Sequence, residues 1–186
     1  MKRLFLAIKI TPNLKLNELF QNLHDNLYYE KIKWVDLNNL HLTLKFFGQT
    51  EDAKIDGICQ FIENITSATS AFSFNISNIG IFGSNYNPSV IWLGCNECTE
   101  LKTLAEKILS ELKTIGFERD RQNFIPHLSL GRINHLTDKK RFNQLIDKNN
   151  ISAIQSVNVS EIFLFESVLR KEGPIYNILY SFKLKT

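Results

Sequence analysis

His41-Leu42-Thr43-Leu44 and His127-Leu128-Ser129-Leu130 spell one pattern twice: histidine, apolar, hydroxyl, apolar. Strict alternation sends successive side chains to opposite faces of a strand. Leu42 and Leu44 therefore face a core, while His41 and Thr43 share the other face. In the second copy Leu128 and Leu130 point inward and His127 and Ser129 outward. The copies stand close to half of the 186 residues apart, as a weak internal repeat would place them. A pseudo-two-fold relating the halves brings the two histidine strands face to face across a cleft.

Working outward, residues 4–10 are apolar on both faces, as in a central strand. Thr11, with Pro12 at the first helical position, opens a helix whose buried stripe is Leu16, Leu19, Phe20, Leu23 and Leu27. A short strand at Trp34-Val35 and a turn at Asn38-Asn39 lead into the first histidine strand, which Gly48 ends. Thr50 caps a second helix with Ile55, Ile58, Cys59 and Ile62 inward. Residues 72–82 and 90–93 form a hairpin across the turn Ser84-Asn85-Tyr86-Asn87-Pro88. Thr99 caps a third helix, which Gly116 stops. The second histidine strand, 126–133, precedes a helix over about 138–147 and two strands at 157–165 and 175–184. This order is not the regular alternation of a doubly wound sheet. It gives an α+β fold with mostly antiparallel pairing, and a helix after each histidine strand suggests two similar lobes.

Length favours one domain, 1–186, large enough for a sizeable core. With 44% hydrophobic and 22% charged residues the chain is globular. A net charge of +3 neither opposes a polyanionic ligand nor predicts one. Cys59, Cys95 and Cys98 make no disulfide framework, which fits a reducing compartment. Cys95-Asn96-Glu97-Cys98 lacks the second pair that a zinc site needs and reads as an incidental pair at a strand-to-helix junction. The apolar start is short, contains Lys9 and breaks at Thr11-Pro12 without a small-residue cleavage site, so it reads as a strand rather than a signal peptide. No stretch reaches the length of a membrane span, and a cytoplasmic protein is expected.

Of four histidines, His24 lies off the apolar stripe of its helix and His135 reads as a loop residue. His41 and His127 share one local pattern and are the functional candidates. Two imidazoles, each beside a hydroxyl, suit a phosphoryl-transfer site: one ring takes a proton, the other gives one, and the hydroxyls of Thr43 and Ser129 hold phosphate oxygens. Two histidines on separate strands are also possible metal ligands. Neither motif, however, has a carboxylate or cysteine at ligand spacing. There is no Walker loop, no G-x-G-x-x-G and no G-x-S-x-G.

The paired H-x-[ST]-x motifs resemble the two-histidine (2H) phosphoesterase superfamily, and within it the LigT-like RNA 2′,3′-cyclic phosphodiesterases. The likeness extends to Arg3-Leu4-Phe5-Leu6-Ala7-Ile8, to Trp34-Val35 and Asn39 to Gly48, to Ile91-Trp92-Leu93-Gly94, to Phe124 to Arg132, and to Phe165-Glu166-Ser167 with Gly173-Pro174 and Tyr176. Ser129 stands where threonine is frequent, which keeps the hydroxyl. Ile125 stands where arginine commonly precedes the Pro-His pair.

The resemblance implies two antiparallel-sheet lobes with helices outside and both motifs in the central cleft. It implies opening of a terminal 2′,3′-cyclic phosphate to a 2′-phosphomonoester, with His41 as proton donor and His127 as proton acceptor. Thr43 and Ser129 would hold the non-bridging oxygens, Arg132 could clamp phosphate, and no metal or cofactor is needed. The base beside the phosphate calls for an aromatic platform, for which Phe47, Tyr176 and Trp34 are candidates, Trp34 being the one best read as core. The expected partners are RNA or oligonucleotide ends carrying the cyclic phosphate, with no membrane and a monomeric chain. The same acid–base pair would serve the reverse reaction, 2′-5′ ligation of RNA ends. A module that binds RNA ends without turnover is the alternative outside catalysis, and two intact histidines speak against it.

Overall fold

The computed structural model describes residues 1–118, 124–171 and 173–186. Thirteen elements follow in order among them: β1 (Lys2–Lys9), α1 (Leu14–Asn26), β2 (Lys31–Trp34), β3 (His41–Thr50), α2 (Ile55–Ser67), β4 (Phe72–Ser84), β5 (Asn87–Asn96), α3 (Thr99–Leu112), β6 (His127–His135), α4 (Lys139–Lys148), β7 (Gln155–Val159), β8 (Glu161–Leu169) and β9 (Pro174–Lys183). They build two sheets, β3-β1-β8-β9 and β2-β6-β5-β4-β7, with every strand pairing antiparallel. This is the two-lobed α+β fold expected. Each lobe draws strands from both halves of the chain, so neither half closes a sheet by itself.

One core runs through both lobes. The inward residues of the motif strands, Leu42, Leu44, Leu128 and Leu130, join apolar stripes from the helices: Leu16, Leu19 and Leu23 of α1, Ile58 and Ile62 of α2, Leu101, Leu104 and Ile108 of α3, and Phe142 of α4. A second, smaller cluster of Phe5, Ala7 and Phe165, flanked by Phe163 and Tyr176, lies apart from it. Its members alternate with core residues along β1 and β8, so it occupies the opposite face of the first sheet. Among the described residues no helix is long and apolar enough to cross a membrane.

Several boundaries differ from the sequence reading. Asn13, not Thr11, caps α1: its side-chain oxygen accepts the Leu16 amide at 2.8 Å, and its own backbone is extended, as at a helix N-cap. Thr50 ends β3, with its hydroxyl on the Gly48 carbonyl, and a 3-10 turn, Asp52–Lys54, enters α2 instead. Gly48, at φ +70°, lies within β3 rather than at its end. Thr99 is the first residue of α3, with Cys98 before it. The β4–β5 turn shrinks to Asn85-Tyr86, because Ser84 pairs with Asn87 and accepts its amide. Residues 157–165 are two strands in different sheets, β7 against β4 and β8 against β1. His135 closes β6 rather than standing in a loop.

Candidate active site

Each motif histidine is anchored in the same way. The His41 Nδ1–H donates to the Asn39 carbonyl and the His127 Nδ1–H to the Ile125 carbonyl, both at 2.7 Å. A carbonyl only accepts, so Nδ1 carries the proton in both rings and Nε2 is the nitrogen left for chemistry. The anchors are set locally. Before His41 a 3-10 turn, Leu37–Asn39, capped by Asp36, aims the Asn39 carbonyl back at the ring. Before His127, Pro126 is buried and leaves the Ile125 carbonyl in the equivalent place.

The strands match further. Residues 41–47 and 127–133 have the same order of buried, half-buried and exposed positions. Both carry a β-bulge at the fourth residue: Leu44 is extra between the Thr43–Ala7 and Lys45–Leu6 pairs, and Leu130 between the Ser129–Trp92 and Gly131–Ile91 pairs. A bulge changes the facing of everything after it. Thus Phe46 and Arg132, five residues after each histidine, return to the face that carries the imidazole. β3 and β6 lie against each other where the two sheets meet, and His41, Thr43, His127, Ser129 and Arg132 stand on the faces of these strands turned away from the core, which border the cleft there.

Aromatic rings frame both histidines. His41 stands 4.9 Å from Phe5 and edge-on to Tyr176 at 5.2 Å. His127 meets Phe82 edge-on at 4.8 Å, with Trp92 at 6.4 Å. Gly80 is required here, since a Cβ on it would lie 2.4 Å from the Trp92 ring, which stacks on Phe82. Beside His41 a recess of about 60 Å³ is lined by Lys9, Asn39, Phe165, Tyr176 and Ile178 among others.

Of the aromatic candidates, Tyr176 reaches the site. Phe47 does not join the His41 aromatic group: the bulge turns it toward Phe117 and the core, and Phe46, 59% exposed, takes the cleft position. Trp34 packs on Phe20 and His24 and covers Gly131. Phe5, Phe46, Phe82 and Arg3 escaped the sequence reading. Burial pushes the pKa of Tyr176 up, and the positive charges of Arg3 and Arg132 oppose that rise. In the lone CxxC, burial pushes the Cys95 thiol up to about 12, leaving almost no thiolate at that residue. Among the described residues no three His, Cys, Asp or Glu side chains gather where they could hold a metal ion.

Burial lowers the pKa of His41; the bond to Asn39 opposes this and the charge of His127 adds to it. In a ¹H–¹³C NMR titration of the ligand-free protein the His41 ring therefore turns over below the ordinary value of about 6.5. The midpoint moves up in His127→Ala, where the neighbouring charge is gone. A His41 midpoint at or above 6.5 would contradict this geometry.

The chain matches the family model described as LigT like Phosphoesterase twice, over residues 8–92 and 93–176, so the duplicated pattern spans nearly the whole chain. It is 31% identical over 180 residues to the RNA 2′,3′-cyclic phosphodiesterase of Thermotoga maritima, covering 96% of this chain and 93% of that protein. It is 30% identical to the enzyme of the same name from Methanocaldococcus jannaschii, covering 95% and 98%. The fold matches a crystal structure of a Thermus thermophilus protein with a TM-score of 0.79 at 20% identity, covering 98% of each chain. It also matches E. coli LigT complexed with 3′-AMP, with a TM-score of 0.75 at 22% identity, covering 100% and 99%.

Proposed function

The chain belongs to the LigT-like phosphoesterase family, and from that premise we propose that it opens RNA 2′,3′-cyclic phosphate ends to 2′-phosphomonoesters with His41 and His127 as its acid–base pair. The observation that carries this reading is the matched pair of anchors: two imidazoles hold their Nδ1 protons on backbone carbonyls, leave Nε2 toward one cleft, and each have a hydroxyl two residues on. The names of the relatives from Thermotoga maritima and Methanocaldococcus jannaschii point to the same reaction.

Water attacks phosphorus opposite the 3′ oxygen. His127 Nε2 accepts the proton of that water as the new P–O bond forms. His41 Nε2–H donates a proton to the 3′ oxygen as the P–O3′ bond breaks, leaving a 3′-hydroxyl and a 2′-phosphate. Thr43 and Ser129 hydroxyls donate to the non-bridging oxygens, and Arg132 adds positive charge where negative charge builds. The lowered pKa of His41 makes its protonated form a stronger acid. A phosphate anion in the cleft restores the proton that burial disfavours. Tyr176 and the aromatic group behind it give the terminal base a stacking surface. No step requires a metal. Unpaired cysteines favour a reducing compartment, and we place the protein in the cytoplasm.

The test is a short RNA ending in a 2′,3′-cyclic phosphate, incubated with the protein in EDTA, with the phosphate of the product located. A 2′-phosphate is expected. A 3′-phosphate, or turnover that EDTA abolishes, would overturn the mechanism.

A further inference from the structure

The two motif strands match in burial and in bulge, yet the side chains they present to the cleft differ. Five residues after His41 stands Phe46, 5.9 Å from Phe5 and part of an aromatic wall with Phe165 and Tyr176. Five residues after His127 stands Arg132. The difference continues along the edge of the second sheet. Arg132 pairs with Lys33 of β2, so both side chains leave the sheet on the cleft face, in one row with Phe82 and Val90. A further irregularity leaves Asn134 unpaired and sets Lys31 opposite His135, two residues beyond Lys33 on the same face. Arg132, Lys33 and Lys31 are exposed, and among the described residues none of them is in a salt bridge. Ile32 and Trp34 alternate with the lysines and pack on the core. Glu30, the residue before Lys31, does not cancel the stripe: it is buried, and its oxygens are taken up by Thr137 and Asp138.

Lysine on an edge strand also discourages sheet-to-sheet pairing. That role asks only for charge at the edge. Alternation with Ile32 and Trp34 sets both lysines on the outer face, and on that face they stand in line with Arg132.

We infer that Lys33 and Lys31 extend the active cleft into a track for the phosphates upstream of the reacting end, so that the protein prefers an RNA strand of several nucleotides to a cyclic mononucleotide. The inference rests on the phosphodiesterase reading above. Rows two residues apart along a strand are about 7 Å apart, a step comparable with that between neighbouring phosphates of an extended single strand. The aromatic group beside His41 then meets the terminal base, and the edge beyond His127, with Arg132, Lys33 and Lys31, meets the backbone.

The experiment compares a tetranucleotide ending in a 2′,3′-cyclic phosphate with a cyclic mononucleotide, in the native protein and in Lys31→Ala/Lys33→Ala. The native chain is expected to show the lower KM for the tetranucleotide. The double variant raises that KM about three- to tenfold at low salt and leaves kcat and the mononucleotide KM unchanged. Each lost phosphate contact lowers the slope of log KM against log salt by about 0.7, so the double variant loses about 1.4, and Lys31→Arg/Lys33→Arg restores the slope. An unchanged tetranucleotide KM, or an equal rise for both substrates, would overturn the inference and leave the phosphodiesterase reading standing. No turnover of either substrate by the native chain would overturn both.

Discussion

His41→Ala and His127→Ala each lower kcat/KM on a cyclic-phosphate RNA end by about 10²–10⁴. The double variant falls little further, because a donor and an acceptor that act in one step fail together. The two roles separate when the leaving atom changes. A substrate with sulfur at the 3′ bridging position expels a thiolate, whose conjugate acid has a pKa of about 8.5, and so departs without a proton. His41→Ala recovers most of its rate on that substrate; His127→Ala, which lacks the group that activates water, does not. The reverse pattern would exchange the roles, and equal loss on both substrates would remove His41 from the proton path. Both rings are only partly buried, so these substitutions leave the core intact, and unchanged unfolding of each variant confirms that the rate is what is measured.

Glu30→Ala lowers stability by about 3 kcal/mol, a fall of roughly 6–12 °C in Tm for a domain of this size. Glu30 is 7% exposed, and its carboxylate accepts from the Thr137 amide at 2.6 Å, the Thr137 hydroxyl at 3.0 Å and the Asp138 amide at 3.0 Å. Its removal strands two amides at the start of α4, where Asp138 in turn caps the helix by accepting the Arg141 amide. Burial alone would raise the pKa of Glu30, but these three bonds and nearby His135 outweigh it and hold the pKa below the ordinary value. A carboxyl whose pKa is lowered by folding adds stability above the unfolded value, about 4.3, and loses it as pH falls through the folded value. The gap between the native protein and Glu30→Gln in urea unfolding is therefore full at pH 7 and closes in acid below about 4. Equal midpoints at pH 7 would show that the three bonds add nothing net.

The sequence shows what local chemistry dictates. Alternation assigned Leu42, Leu44, Leu128 and Leu130 to the core, and half-chain spacing paired the histidines before any contact was known. A change of parity marks one further boundary. Val157 and Val159 keep one parity and Ile162 and Leu164 the other, and that slip marks the place where the chain leaves one sheet for the other. Thr11, Thr50 and Thr99 failed as caps because a hydroxyl residue before a helix is only a candidate. Asn13 wins by reaching the Leu16 amide, while the Thr50 hydroxyl is spent on Gly48.

By itself the sequence determined the pair of imidazoles, their hydroxyl neighbours and the leucines beneath them, because strand periodicity acts within a few residues. Only the tertiary structure decided which later residues join them. The bulges at Leu44 and Leu130 exist through pairing with β1 and β5, strands distant in the sequence, and they turn Phe46 and Arg132 into the cleft and Phe47 out of it. The aromatic frame of Phe5, Phe82 and Trp92 and the line from Arg132 through Lys33 to Lys31 likewise depend on cross-strand register. Register is a property of two strands together, and no single stretch of sequence carries it.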